Sequence, residues 1–207
     1  MKIKKAVLAV LLASGMLTGC LGRSSTLNEE SSRIFVTAEE EFKTVTVEAY
    51  ENQDYYQSEE LKAFLEEAVS DYNKANGQGA VALDSCSLED GKAKMIFSYN
   101  SGEALTGFTS QYKDQDNEVD SIFTAAFSEV LSQSRSEGVI FLKASDGKEA
   151  EEKALLNRGK SHAVVVETKN PVTLQTQGRI QFISDNVTLV DHNTASLPQG
   201  KSYIIFK

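Results

Sequence analysis

Residues 58–100 read SEELKAFLEEAVSDYNKANGQGAVALDSCSLEDGKAKMIFSYN, and the fold turns on this stretch. Leu61, Phe64, Leu65, Ala68, Val69 and Tyr72 recur at the spacing that gathers apolar groups on one face of a helix. Ser58 suits the N-cap, and Glu59 and Glu60 stand where carboxylates favour the positive end of the helix dipole. Asn76-Gly77 ends the helix, because glycine tolerates the left-handed conformation of a C-terminal cap. Two strand-like runs follow, Ala80 to Leu88 and Lys92 to Asn100, around Glu89-Asp90-Gly91. Asp-Gly marks a tight hairpin turn whose central residues need positive φ. Ala93, Met95, Phe97 and Tyr99 then share one face of the second strand. A helix beside a local hairpin predicts an α+β fold with antiparallel sheets.

The pattern extends both ways. Upstream, Phe42 to Tyr50 alternates threonine with Val45 and Val47, a half-buried strand. Downstream, Ser101 caps a short helix reaching about Tyr112. Val119, Ile122, Phe123, Ala126, Phe127, Val130 and Leu131 fall on one helical stripe and predict a second main amphipathic helix. Val139 to Leu142 reads as a short strand and Glu149 to Asn157 as a charged helix. From His162 onward the runs 163–168, 172–177, 179–184, 187–190 and 202–206 are short and close, which predicts an antiparallel C-terminal β-meander. No linker-like stretch interrupts residues 33–207, so one domain is expected, any subdivision falling near 135–160.

The N-terminus carries a different message. Lys2, Lys4 and Lys5 precede the apolar run Ala6 to Met16, which is too short for a membrane span of about 20 residues. A basic start, a short apolar core and small residues together make a secretory signal. Leu17-Thr18-Gly19-Cys20 closes it. This sequence resembles the lipobox of bacterial lipoproteins over residues 1 to about 21. The resemblance implies that residues 1–19 are removed, that the Cys20 thiol receives a diacylglyceryl group, and that the mature chain sits lipid-anchored on the extracytoplasmic face of the cell membrane. Two acyl chains give the stable attachment that one does not. Leu21 to Ser32 is polar and unpatterned, a tether reaching roughly 20 Å if flexible.

Loss of residues 1–19, three lysines and no acids, takes the formal charge from −9 to −12. Nucleic acid and anionic lipid headgroups both favour basic partners, so neither is an expected ligand, and the acyl chains alone are expected to hold the protein to its membrane. With Cys20 lipidated, Cys86 is the remaining thiol, so the fold relies on its core and not on a disulfide.

No motif carries a recognisable chemistry. Gly159-Lys160-Ser161 and Gly200-Lys201-Ser202 lack the earlier glycine of a phosphate loop, Ala154 and Ala195 standing there, and both lead into strands. Ser145-Asp146-Gly147-Lys148 and Ser98-Tyr99-Asn100 imitate penicillin-recognising enzymes in reversed order, and Asp-Gly reads as a turn. Asp114, Asp116, Glu118 and Asp120 alternate as in a calcium loop, but Val119 and Ala125 occupy the positions of its glycine and bidentate glutamate. Asp116 or Asn117 reads more simply as the cap of the next helix. His162, His192, Cys86 and Ser145 form no nucleophile–base pattern in sequence. No catalytic residue, metal ligand or cofactor is therefore assigned. Tyr50, Tyr55 and Tyr56, among Asn52, Gln53 and Asp54, are the candidate ligand-binding group, suited to stacking on a glycan or anchoring an envelope protein. The expected function is a binding or interaction role at the membrane, with a small cell-envelope hydrolase assembled from distant residues as the alternative.

Overall fold

The computed structural model describes residues 26–49 and 58–207. Cys20 and the signal-like segment lie outside these residues, as do Tyr50, Tyr55 and Tyr56. Among the described residues no helix is long and apolar enough to cross a membrane.

The organising stretch folds as its local chemistry dictates. Helix α1 spans Ser58–Asn76. The Gly77 N–H closes its last turn on the Asn73 carbonyl, 3.0 Å away, with φ of 115° at the glycine. Strands β3 (Val81–Glu89) and β4 (Lys92–Tyr99) pair across Asp90 and Gly91, whose φ values of 51° and 72° fit the expected turn. Asn73 joins helix to hairpin, donating to the Val81 carbonyl at 2.8 Å and accepting from the Val81 N–H at 2.9 Å. Helix α2 (Gly102–Tyr112) starts at Ser101, whose hydroxyl accepts from the Ala104 N–H.

The other elements are strands β1 (Arg33–Val36), β2 (Phe42–Ala49), β5 (Ser121–Ala126) and β6 (Phe141–Lys143), with helices α3 (Phe127–Ser136) and α4 (Glu152–Leu156). The C-terminal series is β7 (His162–Thr168), β8 (Val172–Thr176), β9 (Ile180–Ser184), β10 (Thr188–Leu189), β11 (Thr194–Leu197) and β12 (Gly200–Phe206). A seven-stranded sheet has the order β10-β11-β8-β1-β2-β4-β3, and a five-stranded sheet the order β5-β7-β12-β9-β6. Mixed helices and antiparallel-dominated sheets make the fold α+β, with β1 and β8 as a parallel pair. The C-terminal strands are shared out between the sheets, β7, β9 and β12 to one and β8, β10 and β11 to the other.

Layering explains why β7 and β12 are nearly continuous apolar runs. Val164, Val166, Ile204 and Phe206 belong to a core that also takes Ile34, Val36 and Leu174 from the larger sheet. The alternate residues Ala163, Val165, Tyr203 and Ile205 pack with Phe127, Val130, Leu131 and Leu155 of α3 and α4. These two strands are thus buried on both faces, which removes the polar alternation of a half-exposed strand. On the rim, Glu137 accepts from Lys201 at 2.7 Å, the Tyr203 hydroxyl at 2.5 Å and Gln133 at 3.0 Å. These three donors hold its carboxyl down at about 2.

The segment 119–131 differs from the expected single helix. Residues 121–126 form strand β5 on the edge of the smaller sheet, and the helix begins only at Phe127. Ile122 pairs with Val166 and Thr124 with Val164, so backbone bonding to β7 outweighs the helical spacing of the side chains. Ile122 points inward at 4 % exposure, and Phe123, on the opposite face, is 41 % exposed. Asn117 caps no helix. It is fully buried, and its side-chain amide donates to the Val45 carbonyl at 3.0 Å.

Residues 26–32, assigned to the tether from sequence, lie against the larger sheet. Gln175 donates to the Thr26 carbonyl at 2.8 Å and accepts from the Asn28 N–H at 3.0 Å. The Ser32 hydroxyl accepts from the Val47 N–H at 3.0 Å.

Candidate functional site

The amphipathic stripe of α1 is wider than the surface it covers. Leu65, Ala68 and Tyr72 are buried, Leu61 and Val69 are half-buried, and Phe64 remains 61 % exposed. Phe64, expected in the core, instead stands at the rim of a pocket of about 230 Å³. Leu61, Leu65 and Ala68 form its helical wall, Met95 and Phe97 of β4 its floor, and Phe108 and Tyr112 of α2 the facing wall. Thr46, Glu48, Lys113 and Asp114 form the polar end.

Aromatic contacts set the walls. The Phe108 ring lies 5.1 Å from Phe97, 4.6 Å from Tyr112 and 5.4 Å from Tyr72, the last edge-on. Tyr112 donates its hydroxyl to the Ala68 carbonyl of α1 at 3.0 Å, which ties the two helical walls together. Tyr99 lies behind, bonded to the Thr44 hydroxyl at 2.9 Å, and burial pushes its phenol far above the ordinary range. A pocket of this size, slightly below the range of drug-sized sites, admits about one aromatic ring or a branched alkyl group.

Asp114 gives the pocket its electrostatic character. Lys113, with φ of 57°, ends α2 and turns Asp114 back toward β2. Its carboxylate accepts from the Thr46 hydroxyl at 2.7 Å and from Asn117 at 3.0 Å. Burial pushes its carboxyl above the usual range, the two hydrogen bonds opposing this and the charges of Asp116 and Glu48 adding to it. Oδ1 of Asp114 and Oδ1 of Asn117 are both buried with no protein donor. A proton on the Asp114 carboxyl supplies a donor where an ionised carboxylate supplies none.

The pH dependence follows from that raised carboxyl. Between its unfolded and folded pKa the native state holds more protons than the unfolded chain, so stability falls as pH rises through the folded value. Asp114→Asn keeps an acceptor for Thr46, gains a donor and does not titrate. The urea midpoint of the wild type is expected to fall relative to Asp114→Asn as pH is raised from 4 to 8. Parallel profiles for the two proteins would show that Asp114 ionises normally.

The sequence candidates scatter. Ser145 lies in a groove on the smaller sheet, and Cys86 on β3 at the far edge of the larger one. Burial raises the Cys86 thiol, which disfavours the reactive thiolate. His162 packs against the Phe206 ring at 5.3 Å, and exposed His192 lines a depression with Thr26 and Glu29. Of the alternating acids, Asp114 turns to the pocket and Asp120 pairs with Lys169 at 2.7 Å. Among the described residues no three His, Cys, Asp or Glu side chains converge as a metal-ligand set. Sequence reading missed Phe108, Tyr112, Asp114 and Asn117 as one constellation, since they are brought together only by contacts of α2 and the turn after it with β2 and α1. Comparison with known proteins returns no relative: no family model, curated protein or solved structure matches this chain.

Proposed function

We propose that this chain is a lipid-anchored protein of the extracytoplasmic membrane face that docks an apolar side chain from a basic segment of an envelope protein. The observation that carries the reading is the apolar pocket with Phe64 exposed beside it. A side-chain-sized recess flanked by an exposed aromatic matches the anchor-in-pocket arrangement of interaction hot spots. A scattered surface phenylalanine would be unremarkable, whereas this one continues a concave apolar surface. The charge of the partner follows from the surroundings. Glu48 shares the polar end with Lys113 and with an Asp114 that burial pushes toward its neutral form, so the acidic excess comes from Glu60 and Glu67, one helical turn before and after Phe64. Basic residues flanking the docked side chain would pair with these acids and add on-rate more than affinity.

Anchoring rests on Leu17-Thr18-Gly19-Cys20. Two buried acyl chains at about 0.8 kcal/mol per CH₂ supply on the order of 20 kcal/mol, far above the repulsion of an acidic domain from anionic lipid. Intact mass of the membrane fraction is expected to show a diacylglyceryl group on Cys20, and Cys20→Ala to release the protein into the soluble fraction. An unmodified Cys20 overturns the anchor.

Docking is tested with N-acetyl-Lys-Phe-Lys-amide and its Glu-Phe-Glu counterpart, followed by chemical shifts of the chain. The basic peptide is expected to shift Leu65, Phe97, Phe108 and Tyr112, and the acidic peptide to bind at least about tenfold more weakly. Absence of shifts at the pocket with either peptide overturns the docking reading, and equal binding of the two removes its charge preference.

A further inference from the structure

A second surface runs against the charge of the whole molecule. At the end of the smaller sheet, Lys143, Arg158 and Arg179 line an open groove of about 610 Å³, together with Ser145, Asn157 and Gln181. They come from three places: the end of β6, the turn after α4, and the turn before β9. No carboxylate lines the groove. Among the described residues, none of the three cations belongs to an ion pair. The acid next to Ser145, Asp146, accepts from the Lys148 N–H at 3.2 Å within its own turn. Three neighbouring cations repel one another, and an anion held between them relieves that repulsion. Guanidinium groups present the planar donor fork that fits phosphoryl oxygens, and Ser145 and Asn157 add neutral donors.

Position narrows the source of the anion. Arg179 precedes Ile180, whose N–H donates to the His192 carbonyl at 2.8 Å. His192 shares a depression with Thr26, and Gln175 bonds both Thr26 and Asn28. The groove therefore lies toward the end of the molecule where the described chain begins. Five residues lie between Cys20 and Thr26, and the six steps from one to the other span at most about 22 Å.

We infer that the Lys143–Arg158–Arg179 groove binds the phosphoryl group of an anionic phospholipid in the anchoring membrane and so orients the domain on it. The phosphoryl specificity stands on the groove alone, and the choice of lipid as its source rests on anchoring at Cys20. The net negative charge does not forbid this, because repulsion from distant acids is screened beyond about 8 Å at physiological salt. Anchoring also supplies a local concentration of headgroups in roughly the millimolar range, so a weak site is enough.

Two arms test it. In the first, the mature chain with Cys20→Ala is titrated with inorganic phosphate and with glycerol phosphate while the amide shifts of Ser145, Asn157 and Gln181 are followed. Both ligands are expected to shift these amides, and Arg158→Ala with Arg179→Ala to weaken binding about tenfold or more without moving the melting temperature, both side chains being exposed. In the second, the lipidated protein is placed in phosphatidylglycerol vesicles or in phosphate-free digalactosyldiacylglycerol vesicles and treated with phenylglyoxal. Modification of Arg158 and Arg179 is expected to slow about tenfold in phosphatidylglycerol alone. Shifts in the first arm without protection in the second overturn the lipid source and leave a site for free phosphate. No shifts in the first arm and no protection in the second overturn the site itself. If Cys20 is unmodified, the anchor fails by mass alone, and the first arm still decides whether the groove takes phosphate.

Discussion

Phe108→Ala is expected to lower the stability of the fold by about 3–5 kcal/mol, whereas Phe64→Ala costs less than about 1 kcal/mol. The two phenylalanines line one pocket, Phe64 at its rim and Phe108 in the wall facing α1, yet they differ in what surrounds them. Phe108 is 4 % exposed and meets the rings of Tyr72, Phe97, Tyr99 and Tyr112 at centroid distances between 4.6 and 6.1 Å. Its truncation removes four aromatic contacts and leaves a cavity that the two helices cannot close while Tyr112 holds α1 to α2. Phe64, on the solvent side of α1, loses little on truncation beyond surface already in contact with water. Its effect belongs to docking, and Phe64→Ala is expected to weaken the Lys-Phe-Lys peptide while the urea midpoint stays within experimental scatter. Equal destabilisation by the two truncations would mean that Phe64 is packed in solution and the pocket is closed.

Gly102→Ala is expected to be among the most damaging single-methyl changes in the described residues. A Cβ at residue 102 would stand 1.9 Å from the Ile122 carbonyl oxygen, a backbone atom that no side-chain rotation can move aside. Either the start of α2 or strand β5 must shift. Moving α2 disturbs the Ser101 cap, and moving β5 disturbs its pairing with β7. Overpacking of this kind costs about 1–3 kcal/mol where neighbours can yield and more where they are backbone, so a loss above about 3 kcal/mol is expected in urea unfolding. An unchanged midpoint would show that α2 and β5 do not approach so closely. By contrast, Gly138→Ala meets no atom within 4 Å, and its cost comes only from a φ of 74°. A stabilised Gly102→Ala beside a destabilised Gly138→Ala would therefore reverse the argument.

Where structure is made by neighbours in sequence, the chain was legible. Helix α1, its acidic first turn and its glycine stop, the Asp90-Gly91 hairpin and the Ser101 cap are each written in a few adjacent residues. Their chemistry is local: a carboxylate near a helix dipole, a glycine where φ is positive, a hydroxyl within reach of a free N–H. The α+β class follows from the same signals, because a helix beside a hairpin needs a sheet to cover.

What depended on distant partners was decided by the tertiary structure alone. Residues 119–131 carry a sound helical stripe, and half of it became β5 because the exposed edge of β7, some forty residues later, offered a full row of backbone bonds. Phe64 fits the helical stripe as well as Leu65 does, but the surface facing α1 covers Leu65, Ala68 and Tyr72 and leaves Phe64 beyond its margin. Asn117 and Asp114 looked like a cap and an acidic loop until β2 brought Val45 and Thr46 against them. The same holds for the basic groove, whose three cations lie far apart in sequence and meet only where β6, α4 and β9 converge. Sequence period states which face of an element is apolar, and it does not say how much of that face another element will cover, since coverage is a property of pairs of segments and burial is won only when both are in place.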